Sequence, residues 1–270
     1  MLSYQHIYHA GNLADVQKHA LLARMLDYLT QKDKPISYIE THSGRGLYQL
    51  DSVEALRTGE AAAGIEMAQS EAWFDVMHPL SRAINAVRAR HGNMAYPGSP
   101  LIAANLLRVQ DKIHLAELHP QEHAWLSKAM ADQNARIYQQ DGYALAQSLL
   151  PPTPRRGLLL IDPSYEVKSE FDRLPVLIAK LHRKWNVGVL ALWYPVLTDG
   201  RHRSMIAALE KLKLPRTVKH EVHFPPIKEG HRMTGSGMFI INTPFGLADE
   251  TRLLDQLFKL LSGHQKTSKP

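Results

Sequence analysis

Residues 158–166 read LLLIDPSYE, an aliphatic run that ends on Asp162, Pro163, Ser164 and Tyr165. An Asp-Pro after a buried strand is an ordinary turn signal. The same residues also suit a specific chemical task. The amino group of a nucleobase is a poor nucleophile because its lone pair is delocalised into the ring. A carboxylate oxygen of Asp162 and the carbonyl of Pro163 could accept both amino hydrogens and favour a pyramidal nitrogen. The ring of Tyr165 could stack on the base and fix its plane.

Other candidate residues fall at the ends of other strand-like runs. ISYIET (36–41) leads into HSGRG (42–46), which carries His42 and Gly44. KIHLAEL (112–118) contains Glu117, ARIYQQ (135–140) runs into Asp141 and Gly142, and GLLLI (157–161) runs into Asp162. In open parallel sheets, ligands bind outside the carboxyl ends of the strands. Four such ends with polar residues say more than any one motif. A glycine turn lets backbone approach a ligand closely, although a lone GxG is equally at home in a plain strand-to-helix turn. Glu117 suits a ribose diol, but such an acid ordinarily follows the glycine turn by ~20 residues. Here the gap from Gly44 is 73 residues, which requires an insertion. Residues 54–92, rich in Ala and Glu, place Trp73, Phe74, Met77, Leu80 and Ile84 at helical spacing and fit that role. The electrophile for an activated amino nitrogen would be the methyl group of S-adenosylmethionine, held by the glycine turn and the acids. Positioning of that kind contributes ~7–11 kcal/mol to a bimolecular step.

The elements that must hold these residues alternate between strand and helix. Residues 12–32 read as a helix with Leu22, Met25, Leu26 and Leu29 on one apolar stripe. Extending that stripe backward lands on Asp15, Lys18 and His19, charged groups that need partners or a ligand when buried. Helices are expected after YPGSP (96–100), over PQEHAWLSKAMADQN, over 170–184, over RHRSMIAALEKLK and over 249–262. VGVLALWY (187–194) is a fifth strand, and VKHEVHF (218–224) pairs with GMFIIN (237–242) as an antiparallel hairpin. The pattern predicts an α/β fold. We expect a Rossmann-like class I methyltransferase sheet of about seven strands, the last pair antiparallel. Residues 1–53 and 93–262 would form this domain, 54–92 a small helical insertion, and 263–270 a disordered tail.

Composition narrows the function classes. The chain has 270 residues, a net charge of +6, 15 histidines and no cysteine. Disulfides and thiolate chemistry are thereby excluded, and a reducing cytoplasm is expected. The basic balance leans toward anionic partners, nucleic acid first. No stretch approaches the ~20 apolar residues of a membrane span, and the polar N-terminus lacks a signal-peptide core. There is no GxxxxGK[ST] and no GxSxG. His6 with His9, or His42 with His119, could be metal ligands, but without HExxH spacing no metal is expected. A hydrolytic triad of His42, Ser43 and Asp162 can be drawn on paper.

Beyond these patterns, the blocks MLSYQHIYHAGNLADVQKH, THSGRGLYQL, YPGSPLIAANLL, ELHP, DGY, RRGLLLIDPSYE, ALWYPV and MTGSGMFIINTPF resemble the RlmJ family of 23S rRNA adenine-N6 methyltransferases. The resemblance runs in register from Met1 to about residue 245. It implies S-adenosylmethionine as donor and one adenosine of 23S rRNA as acceptor, met before full ribosome assembly. It implies a cofactor pocket of Lys18, His19, His42, Gly44, Ser99, Glu117, Asp141, Gly142 and Asp162. Asp162, with Pro163 and Tyr165, would be catalytic, and Tyr4 and Tyr165 would meet the RNA. One position departs from the family's Asp-Pro-Pro-Tyr: Ser164 replaces the second proline, which removes rigidity but no acceptor and no ring. The alternatives are a DNA adenine-N6 methyltransferase, or a non-catalytic nucleic-acid-binding protein linked to use of external DNA. A monomer without membrane or metal partners is expected.

Overall fold

The computed structural model describes residues 4–224 and 232–264. Its strands are β1 (Ser37–Glu40), β2 (Leu47–Gln49), β3 (Ala95–Pro97), β4 (Lys112–Ala116), β5 (Ala135–Tyr138), β6 (Gly157–Ile161), β7 (Val189–Leu197), β8 (Val218–His223) and β9 (Met233–Ile241). The helices are α1 (Leu13–Thr30), α2 (Val53–Thr58), α3 (Met67–Ser70), α4 (Pro79–His91), α5 (Ser99–Leu106), α6 (Pro120–Ala129), α7 (Gly142–Leu149), α8 (Glu170–Lys184), α9 (His202–Lys211) and α10 (Leu247–His264).

Seven strands form one sheet in the order β5-β4-β1-β6-β7-β9-β8. The first five run parallel, and β9 lies antiparallel between β7 and β8. β1 and β6 are buried along their whole length. Helices cover both faces, so inner strands read as continuous apolar runs rather than alternating ones. Glu40 lies opposite Leu160 across the β1–β6 ladder, which brings the turns after these two strands side by side. The antiparallel insertion of β9 sends the end of β7, the start of β9 and the end of β8 to that same edge.

The expected stripe on the first helix is wider in the structure. α1 is buried on nearly every side, from Leu13 through Leu29, with Asp15, Gln17, Lys18 and His19 included. It is enclosed by α4, α5, α10 and β9, and a helix enclosed this way needs no polar face. Asn12 starts it, its side chain accepting the Asp15 N–H at 2.9 Å.

Residues 54–92 are helical only in pieces. α2 stops at Gly59 in the left-handed conformation. A π turn follows over Ala62–Glu66, then α3, then α4, which opens on Pro79 after a His78 cap. Of the five apolar residues expected on one helix, Leu80 and Ile84 lie on α4. Trp73, Phe74 and Met77 fall in the connection between α3 and α4. Trp73 is buried against Phe258, whereas Met77 is 70% exposed. The short β2–β3 ribbon, with Tyr48 opposite Tyr96, has no signal strong enough to read from three residues a strand. α10 runs to His264, past the expected start of the tail at 263, and the rest of that expected tail, 265–270, lies outside the described residues.

Gly64 fixes this segment to α1. Its φ of −112° and ψ of −108° are not helical, and a Cβ there would lie 2.1 Å from the Gly11 carbonyl oxygen. The adjacent Ile65 N–H donates to that same oxygen at 2.7 Å. Gly64→Ala is expected to cost about 1–3 kcal/mol through overpacking, read as a lowered urea midpoint at an unchanged slope.

Candidate active site

The ends of β1, β4 and β6, the N-terminal segment and the near end of α1 surround a cavity of about 360 Å³. Its walls include Tyr4, Lys18, His19, His42, Gly44, Ser99, Glu117, Asp162, Pro163 and Tyr165. Asp141 and Gly142 are not among them. Asp141 caps α7, accepting the Ala144 N–H at 2.8 Å. Gly142 is pressed against β1, since a Cβ on it would lie 1.8 Å from the Thr41 carbonyl oxygen. That approach is open only to glycine, and it sets Tyr143 edge-on against His42, 4.9 Å between ring centres.

The polar end of α1 enters the cavity. Lys18 Nζ donates to Asp162 Oδ2 at 2.6 Å and lies 3.1 Å from Asp15 Oδ1. It also sits 5.5 Å above the centre of the Trp193 ring. Asp15 Oδ2 accepts the Gly11 N–H at 2.9 Å and is bonded to His6 Nε2 at 2.8 Å. Burial opposes charge on Asp15, but His6 and Lys18 outweigh it and hold the carboxyl well below the usual range. Burial likewise opposes the Lys18 ammonium, and Asp162 and Asp15 more than reverse that, raising its pKa. His19 is different: burial pushes it down to about 3, so the ring is neutral, with Nδ1 bonded to the Tyr96 hydroxyl at 2.7 Å.

At the glycine turn, Glu117 spans the 73-residue gap directly, accepting the Gly44 N–H at 2.8 Å. Its other oxygen accepts the His119 N–H, also at 2.8 Å. Gly44 is left-handed, φ 58°, and its amide alone in the turn meets the acid, the Ser43 N–H donating to the Ala116 carbonyl. Ser43 Oγ is buried with no hydrogen-bond partner among the described residues. His42 Nδ1 is bonded to the Thr41 hydroxyl at 2.8 Å, and burial pushes its pKa down to about 4. With His42 turned to Thr41 and Ser43 unpaired, the hydrolytic triad drawn from the sequence does not form.

Glu40, which the sequence reading does not single out, is not in the cavity lining but is bonded to Ser99, which is. It is fully buried at the end of β1, accepts the Tyr38 hydroxyl at 2.8 Å and takes a hydrogen bond from the Ser99 hydroxyl. Burial raises its pKa to about 8 against the pull of those two bonds. An acidic residue closing an otherwise apolar strand, ISYIE, was the available signal.

The Asp-Pro-Ser-Tyr turn is held at its far end. Tyr165 is left-handed, φ 56°, and its hydroxyl donates to the Trp193 carbonyl at 2.7 Å. Its ring tilts over Phe171 with centres 4.6 Å apart and is 8% exposed. Tyr4 is 39% exposed at the mouth, bonded to His6 Nδ1 at 2.8 Å and stacked on His9. Among the described residues there is no cluster of three or more metal-ligating side chains. No helix among them is long and apolar enough to cross a membrane.

These shifts set a stability profile. His19 and His42 stay neutral in the fold down to about 3 and about 4. Unfolding therefore takes up protons below the ordinary value of 6.5, and stability falls as pH drops below it. Glu40 has the opposite sign. Its contribution is full below the ordinary 4.5 and is lost as pH rises through about 8. Melting temperature should peak near pH 6.5, and Glu40→Gln should flatten the decline from there to pH 8. One proton accounts for up to about 1.4 kcal/mol per pH unit. Thermal melts across pH 5 to 9 check it.

The family model described as ribosomal RNA large subunit methyltransferase D, RlmJ, matches residues 33–268. Ribosomal RNA large subunit methyltransferase J of Escherichia coli (strain K12) is 41% identical over 254 residues, 93% of this chain and 90% of that protein. The protein of the same description from Haemophilus influenzae is 37% identical over 267 residues, 97% of this chain and 94% of that one. A crystal structure from Legionella pneumophila str. Philadelphia 1 superposes with a TM-score of 0.84 at 35% identity, over 94% of each chain. The sheet order, the edge at which its polar residues gather and these relatives agree: the chain belongs to the RlmJ family of ribosomal RNA large-subunit methyltransferases.

Proposed function

We propose that the chain places a methyl group from S-adenosylmethionine on N6 of one adenosine in 23S rRNA, with Asp162 and Pro163 holding the amino group. The observation that carries this reading is the position of Asp162. Its carboxylate enters the cavity from the end of β6, fixed by Lys18 at 2.6 Å and 13% exposed.

The residues present fit the cofactor. The unpartnered buried Ser43 hydroxyl, the Gly44 turn and the Glu117 carboxylate lie on one side of the cavity. Ser43 and Gly44 would meet its amino-acid end, Glu117 its ribose, and His19, His42 and Ser99 the flanks. Asp141 and Gly142 would border its base from the start of α7. When bound, S-adenosylmethionine supplies an electrophilic methyl group.

The chain's own work is on the amino nitrogen. Lys18 donates to Asp162 Oδ2 at 2.6 Å, which leaves Oδ1 of the same carboxyl to accept an amino hydrogen. One amino hydrogen goes to Asp162 and the other to the Pro163 carbonyl, which draws the lone pair out of the ring. The carboxylate is then the nearest acceptor for the proton the nitrogen sheds. Tyr165, anchored at its hydroxyl, offers a fixed ring edge, and Tyr4 closes the mouth over the base. A base must leave its stack to reach so enclosed a site, which favours rRNA met before full ribosome assembly. The chain acts as a monomer in the cytoplasm, with residues 54–92 as its helical insertion.

Methyl transfer to protein-free large-subunit rRNA, beside single-stranded and duplex DNA, tests this reading by mass spectrometry of the product nucleosides. N6-methyladenosine should form in the rRNA. Asp162→Ala should lower the rate by about 10²–10⁴-fold or more, the range for removing one positioned proton acceptor. Ser164→Pro should preserve or raise it. Label found only in DNA, or unchanged activity in Asp162→Ala, would sink the assignment.

A further inference from the structure

Beyond Asp162 the cavity wall turns apolar, formed by Trp193, Pro195, Leu197, Phe224 and Met233 from β7 to β9. Among the described residues these five side chains carry no charge to hold a cofactor's ionised end. An apolar, aromatic-bearing wall suits the flat face of a base, and a base in a strand is attached to phosphates. The chain next to it, after Leu197 and before Met233, carries Arg201, Arg203 and Arg232, while Glu166 is an exposed carboxylate in the same cavity's lining. The ladder between β7 and β9 shifts register at Val196/Leu197, an irregularity that re-aims the chain beside functional sites. The turn Thr198–Gly200 follows. Its Thr198 N–H donates to the Arg232 carbonyl at 2.9 Å, which ties the start of β9 to the end of β7.

Three arginines surround this turn. Arg201 Nε donates to Asp199 Oδ2 at 2.8 Å, and its Nη2 lies 2.6 Å from the same oxygen. A guanidinium has five N–H donors in a planar fork, so those two contacts to Asp199 do not use all of them. Arg203 folds its side chain over Gly200, where no side chain competes for the space. Arg203 and Arg232 are exposed. Asp199 is the one carboxylate in the turn, and Glu221 on neighbouring β8 is taken up by the Tyr194 hydroxyl at 2.7 Å. The turn itself is braced from beneath, with the Leu197 N–H donating to His202 Nδ1 at 3.1 Å. Arginines on and beside a braced turn, next in the chain to an apolar wall, match the two halves of a nucleotide strand.

We propose that Arg201, Arg203 and Arg232 grip the backbone phosphates flanking the target nucleotide, so that the turn after β7 feeds the RNA strand into the cavity. This rests on the rRNA reading above. It adds the phosphate contacts and predicts the salt dependence they produce, because each neutralised phosphate of a single strand releases ~0.7 counterion.

The test is binding of protein-free large-subunit rRNA, by fluorescence anisotropy, over about 50–200 mM KCl, the range in which phosphate contacts govern affinity. Replacing all three arginines by glutamine should make the slope of log K against log salt shallower by about 2, three contacts at ~0.7 each. The KM for RNA should rise about tenfold or more. The triple lysine variant should recover most of the slope, since it keeps the charges and loses only the fork. Affinity for S-adenosylhomocysteine checks that each variant is folded. An unchanged slope in a folded glutamine variant overturns the inference, as does a lysine variant no better than glutamine. If the wild-type protein methylates rRNA and the slope does not move, this inference alone fails; if it neither binds nor methylates rRNA, the proposed function fails with it.

Discussion

The ammonium of Lys18 lies between the carboxylates of Asp15 and Asp162, 3.1 and 2.6 Å away, with little solvent around any of the three. Each of these ions costs several kcal/mol to bury, so none is tolerable there without the others. The compensation is geometric. Asp15 is bound from four directions, by Lys18, His6, Gly11 and the cap that starts α1. Lys18 is thereby fixed, and through it the one oxygen of Asp162 that it touches. Three distant parts of the chain meet at these charges: the N-terminal segment, α1 and the end of β6. Loss of the central ammonium would leave two buried carboxylates facing each other.

The segment between β1 and β4 belongs to the same construction. It contains the helices α2 to α4, yet its ends deliver residues to the cavity. The β2–β3 ribbon directs the chain into α5, so that Ser99 arrives against Glu40 at the end of β1. Glu60, between α2 and the π turn, accepts the Asn12 amide at 3.0 Å and is bonded to His9 at 2.8 Å. The N-terminal segment is therefore held both from α1 and from the insertion. An isolated appendage would not need a carboxylate buried against the start of α1.

Long periodic elements and strand ends were legible in the sequence. β6 and α8 begin and end where the pattern places them, because an apolar run between turn residues and a long amphipathic stretch have few other solutions. The convergence of Glu117 on Gly44 was legible once an insertion was assumed, since a parallel sheet brings strand ends together whatever the chain does between them. Three things were not. The interior of 54–92 has helical spacing because Ala and Glu favour helix locally, while Gly59, Gly64 and Pro79 decide where the helices break. The capping of α7 by the Asp141 side chain is not visible from its place at a strand end. Glu40 was passed over because a strand interior is expected to be apolar, and only the structure reveals the hydroxyls of Tyr38 and Ser99 beside it.

The same distinction bears on Ser164. A second proline in the turn would restrict φ at that position directly. In this chain the neighbours on both sides are already restrained. Pro163 has a fixed φ by its ring, and Tyr165 is held left-handed, a conformation that costs a non-glycine residue about 1–3 kcal/mol and persists only when surroundings determine it. Here the surroundings are the Trp193 carbonyl on the hydroxyl and Phe171 under the ring. Residue 164 is thus a short link between two fixed points, and the side chain at that link contributes less to the turn's shape than the anchor on Tyr165. The ring of Tyr165 then has two functions that share one geometry: it ties the turn after β6 to β7, and it sets the edge against which a base in the cavity would lie.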